Sequence, residues 1–233
     1  MDNLIVQLKN ISKEFPIEEL YVWDIPEPAP ILIPANVKGG YLKNAYLKKN
    51  LASKLNSDTS MDTHYWVIHD WGKIRSFRRH PKNNKLIAEF IAQLDKGALL
   101  RRTFNLISSL SKVASFMNHR EFAIYDSRAV YSLNWLIFTH TQSRELYPQP
   151  SGRSKELAKY DMQTIVRLAN KDHTYMSHKV AYQHYCKLLK RLSKEVYGDE
   201  DPYKIEMLLF LIAPEKIVES IRDSVSINVN TTS

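Results

Sequence analysis

Apolar positions along most of the chain recur at intervals of three and four, the spacing of a buried helix face. Leu86, Phe90, Ile91 and Leu94 predict one amphipathic helix from Lys85 onward, closed near Gly97. A second apolar-periodic stretch runs from Leu99 to Met117, with a break expected near Ser108-Ser109, and a third helix is expected from Ser127 to about Phe138. Val180, Ala181, Tyr185, Leu188, Leu189, Leu192 and Val196 keep an apolar stripe through Ser177 to Val196, which Gly198 and Pro202 end. Two short helices, Ile205 to Ile212 and Pro214 to Ile221, follow. Tyr147 to Gly152, with Pro148 and Pro150, reads as a loop.

The N-terminal part is patterned differently. Pro16, Pro26, Pro28, Pro30 and Pro34 argue against regular helix in the first 35 residues, leaving room for short strand-like pieces at Leu20 to Trp23 and Ile31 to Ile33. After Gly39-Gly40, Leu42, Ala45, Tyr46 and Leu51 predict a helix from Tyr41 to Leu55 with a lysine-rich outer face. The expected fold class is therefore mainly α. A proline-rich segment and basic helix (1–60) would pack on a helical core (61–226), with few short strands and a disordered tail (227–233).

Composition narrows the function classes. With 44% hydrophobic residues in 233, the chain can bury one sizeable core or two small lobes. Thirty-three Lys and Arg against 25 Asp and Glu give a net charge of +8, which favours a polyanionic partner, DNA first. A lone Cys186 excludes an intrachain disulfide and any multi-cysteine zinc site, as expected in a reducing compartment. Charges scattered through Met1 to Phe15 exclude a signal peptide or membrane span there, so a cytoplasmic location without membrane attachment is expected. No His-Glu-x-x-His pattern, glycine-rich phosphate loop or serine elbow occurs, so neither metal nor cofactor is expected. Between His64 and His80, Trp66, Trp71 and Phe77 interleave with Lys73, Arg75, Arg78 and Arg79. That segment fits either base stacking with phosphate contact or aromatic core plugs beneath solvated cations.

The most informative stretch is Leu110-Ser111-Lys112-Val113-Ala114-Ser115-Phe116-Met117, followed by Glu121 to Val130. It resembles the core of the helix-hairpin-helix DNA glycosylase superfamily, especially its 8-oxoguanine glycosylase branch. Lys112-Val113-Ala114 is similar to the family's triplet at the start of a helix, and Ile124-Tyr125-Asp126 to its loop with an aspartate before the next helix. Tyr203 to Phe210 is also similar to the end of uncharacterised proteins of that fold. The turn at Leu106 to Ser111 has none of the family's glycines, Asp126 is followed by Ser127-Arg128, and the connection from Lys112 to Asp126 is shorter than the family's.

The resemblance implies a protein that acts on DNA, double-stranded by expectation. Asp126 would stabilise positive charge on the sugar as a base departs, and Lys112 would attack the same carbon to form a Schiff base. Arg75, Arg78, Arg79, Arg101, Arg102, Arg128 and Arg153 are the candidate DNA contacts, and Trp71, Tyr125 and Trp135 the candidate walls of a base pocket. Structural roles stand beside these: Asp126 as a helix N-cap, Lys112 as a solvated helix position, Arg128 in a local ion pair, and Lys187, Lys190 and Arg191 as a solvated face. The alternative at the level of function is a non-catalytic DNA-binding or interaction module that keeps the fold, defence against foreign DNA being the expected setting, with an RNA-binding or toxin-like protein third.

Overall fold

The structure, a computed structural model, describes residues 1–152, 154–169 and 172–225. Expected positions Arg153 and 227–233 lie outside these residues. In chain order the helices begin with α1 (Asp2–Glu14), α2 (Ile17–Leu20), α3 (Gly40–Asn50), α4 (Ala52–Ser57) and α5 (Asp62–Tyr65). A wide π-helical turn (Trp66–Trp71) leads to α6 (Pro81–Leu94), α7 (Arg101–Phe104), α8 (Ile107–Met117) and α9 (Ser127–His140). Strand β1 (Glu145–Leu146), α10 (Lys155–Ala158), α11 (Met162–Leu168) and strand β2 (Thr174–Tyr175) come next. The chain then forms α12 (His178–Tyr197), α13 (Pro202–Ile212), a second π-helical turn (Ala213–Ile217) and α14 (Val218–Ser224). The two strands pair in parallel, Glu145 opposite Thr174. The fold is mainly α, as the periodicity predicts.

Helix α9 forms the centre of the core. Every residue from Ala129 to Phe138 is buried, and a helix covered all round needs partners on every side. It packs against α13, which packs in turn on α12, while α1 crosses both α9 and α12. On the other side, α8 is backed by α3, α4 and the first π-helical turn.

Several expectations fail. Residues 2–14 are helical because the proline run begins only at Pro16, and Leu4, Leu8 and Ile11 make a buried stripe worth about 1.5–3 kcal/mol each. Neither Leu20 to Trp23 nor Ile31 to Ile33 is a strand. The Tyr41 to Leu55 helix breaks at Leu51, and its inward face is Tyr41, Asn44, Ala45 and Lys48, so one of its lysines is core rather than surface. The break before α8 falls at Asn105-Leu106 rather than at Ser108-Ser109, and the helices after Pro202 run on through Pro214 by way of the π-helical turn.

Candidate functional site

Helix α8 and the N-terminus of α9 carry the two expected catalytic side chains. Lys112 follows Ser108 by one turn, and its ammonium donates to the Ser108 carbonyl at 2.8 Å. Its stem runs against Gly72, where a Cβ would come within 2.6 Å of the Lys112 Cδ, so only glycine admits it there. Asp126 caps α9: its Oδ1 accepts from the Arg128 amide at 2.9 Å. Its Oδ2 lies 3.9 Å from the Lys112 ammonium. The expected cap role for Asp126 is thus real, and one oxygen remains for the pair. Lys112 is not solvated, being about 5% exposed.

The loop that delivers Asp126 is fixed from α12. Tyr182 and Tyr185 donate through their hydroxyls to the carbonyls of Ala123 and Ile124, each at 3.0 Å, and the Tyr125 amide donates to Ser111 Oγ at 2.9 Å. Burial pushes the phenols of both α12 tyrosines well above their ordinary range, which keeps them neutral donors.

Lys112 and Asp126 open onto a cavity of about 340 Å³, within the range of small-ligand sites. Its walls are aromatic: Tyr21 and Trp23 from the N-terminal segment, Trp71 from the π-helical turn, and Phe210 from α13. Asn44 sets two of these walls. It donates to the Trp23 carbonyl at 2.7 Å and accepts from the Trp71 indole at 2.7 Å, while the Trp23 indole donates to the Trp71 carbonyl at 2.9 Å. Close approach of Gly40 to the Tyr21 carbonyl holds the same segment against α3. Lys73 sits over the Trp23 ring at 4.5 Å and Arg128 over the Phe210 ring at 4.8 Å, both contacts that suit a cation beside an aromatic face.

Beneath the cavity lies a second pair of charges. Lys48 is fully buried, donates to Ser115 Oγ at 2.6 Å, and stands 3.5 Å from Glu206 Oε2. Rings of Phe116, Trp71 and Tyr203 face its ammonium at 4.9, 5.6 and 5.9 Å. Burial lowers the Lys48 pKa and raises that of Glu206, and each is drawn back by the other's charge. Burial first, and then the Glu206 and Asp126 carboxylates, push the Tyr21 phenol well above its usual range.

Of the expected site residues, Lys112, Asp126, Arg128 and Trp71 line this cavity. Tyr125 does not: it is core, its hydroxyl donating to the Pro148 carbonyl. Trp135 is core as well, with its indole donating to Ser220 Oγ at 2.9 Å on the far side of α9. Arg75, Arg78 and Arg101 are exposed outside the cavity, as are Arg79, tied to Asp62, and Arg102, paired with Glu89 at 2.8 Å. Tyr21, Trp23, Glu206 and Phe210 were not singled out in the sequence. A lone glutamate within the apolar run of α13 was the one visible signal, because an unpaired charge there has to meet a partner or a ligand. Among the described residues, no three His, Cys, Asp or Glu side chains gather as a metal site. Nor is any described helix long and apolar enough to cross a membrane.

No protein-family model matches the chain, and no curated protein or solved structure matches it.

Proposed function

We propose that this protein binds DNA and releases a base from its deoxyribose, with the extruded nucleotide held in the cavity between α8, α9 and α13. The observation that carries this reading is the meeting of Lys112 and Asp126 at 3.9 Å beside aromatic walls. An extruded base needs a ring-lined pocket, and its sugar then lies at the mouth, where a carboxylate can stabilise the developing cation. After its ammonium gives up a proton to solvent, Lys112 would attack the anomeric carbon as the bond from that carbon to the base breaks, the bonding pair leaving with the base. Loss of a proton from the attached nitrogen and opening of the sugar ring would give an imine. Lys73 and Arg128 flank Trp23 and Phe210 and would meet the neighbouring phosphates.

A second reading, a binding module without turnover, draws on the cap made by Asp126, the bond from Lys112 to the Ser108 carbonyl, and the glycine-free turn before α8. One variant separates the two. Asparagine is as good an N-cap as aspartate, so Asp126→Asn keeps α9 intact while removing the charge. Base release from oligonucleotides carrying modified bases should fall about 100-fold or more, with DNA affinity within about twofold of the parent protein. Base release that is unchanged in Asp126→Asn would contradict the catalytic reading.

A further inference from the structure

Glu206 is an ionisable side chain buried in the core. Its side chain is about 4% exposed, it lines the cavity, and its Oε2 accepts no hydrogen bond even though Lys48 is within 3.5 Å. A buried carboxylate oxygen left in that condition is costly, and a hydrophobic pair in place of Lys48 and Glu206 would be the cheaper core. Against the upward push of burial, the Lys48 cation 3.5 Å away favours its ionised form. Three aromatic faces and a serine hydroxyl enclose the Lys48 ammonium, a set of groups suited to a cation. The cation beneath then keeps a carboxylate, an acceptor with no proton of its own to give, at the floor of an aromatic slot.

We propose that Glu206, held ionised by Lys48, selects nucleobases that present an exocyclic amine to the cavity floor. This rests on the reading of the cavity as a base pocket and deepens it by naming the substrate class. An amino group on the ring presents an N–H to the cavity side of the Glu206 carboxylate, which accepts it. A base bearing only oxo groups on that edge sets carbonyl lone pairs against the carboxylate, and the ring N–H of uracil lies between two of them. Amino-bearing bases therefore enter, and their oxo or unsubstituted counterparts are disfavoured.

The test needs neither DNA nor turnover. Free cytosine, uracil and pyrimidin-2-one, and adenine against purine, are titrated into the intact protein while quenching of tryptophan emission reports occupancy beside Trp23 and Trp71. Cytosine should bind about tenfold more tightly than uracil or pyrimidin-2-one, and adenine about tenfold more tightly than purine, the effect expected of one hydrogen bond to a charged acceptor. Both preferences should collapse in Glu206→Gln. They should also collapse in Lys48→Met/Glu206→Gln, which carries no unpaired buried charge and guards against a folding defect in the single variant. Equal binding across each set, or a preference that survives in both variants, would overturn the selection by Glu206 while leaving a base pocket in place. Absence of saturable quenching by every base would overturn the pocket reading and this inference together. Base selectivity without base release in separate assays would uphold the inference and count only against the chemistry.

Discussion

At the scale of single residues, the cavity is organised by side chains that the apolar pattern treats as anomalies. Asn44 is fully buried and joins the Trp23 segment to Trp71 by hydrogen bonds in both directions. Asn44→Ala should lower stability by about 2–3 kcal/mol, since it strands the Trp71 indole N–H and the Trp23 carbonyl in the core. A urea titration followed by tryptophan emission measures this, and a loss below about 0.5 kcal/mol would show that water replaces the amide freely. Lys48 gives a sharper case. Lys48→Met leaves Glu206 buried without its cation and should cost about 3–5 kcal/mol. Lys48→Met/Glu206→Leu should recover most of that loss, which is the signature of a pair retained for something other than stability. A double variant as unstable as the single one would mean that packing of the lysine stem, not charge, is what the core needs.

At the scale of elements, the helices that bury one apolar stripe were legible in the sequence, and those with mixed faces were not. Helix α12 matches its predicted span to within a residue at each end because its stripe is regular and Gly198 adopts the left-handed conformation that ends it. Helix α1 was missed because the proline density downstream was carried back over a proline-free segment. The face of α3 was misassigned because Asn44 and Lys48 point inward, and no periodicity rule places a lysine in a core. The α4–α5 connection offers a test by pH. Burial alone would raise the Asp58 pKa, but hydrogen bonds from Ser60 and Thr63 and the nearby His64 hold it down to about 2. A carboxylate depressed in the folded state contributes stability above its unfolded pKa, near 4, and loses it as pH falls toward 2. His64 acts in the same direction, because burial lowers its pKa and acid must charge it. Comparing unfolding free energies at pH 5 and pH 2.5, Asp58→Asn should show a smaller acid loss than the parent protein by on the order of 2 kcal/mol. An identical loss in both would remove Asp58 from the account.

At the scale of the whole molecule, the site is assembled from segments that no local pattern links. Lys112 and Asp126 stand on one short stretch, which is why a resemblance over that stretch could single them out. The walls come from residues 21–23, 71 and 210, and the floor from 206, so the cavity exists only once α3, α8, α9 and α13 have packed. Tyr125 and Trp135 were expected as walls, yet both turn into the core between α9, α12 and α14. Charge is likewise informative only in total: the surplus of +8 favours a polyanion, whereas Arg128 alone of the seven expected arginines lines the cavity among the described residues. The central claim, that Lys112 attacks a sugar carbon beside Asp126, is tested most directly by borohydride trapping on duplex and single-stranded oligonucleotides that carry a modified base or an abasic site. The account predicts a covalent protein–DNA adduct that disappears in Lys112→Gln. An adduct that persists in Lys112→Gln, or no adduct on any substrate while DNA binding is intact, would contradict it.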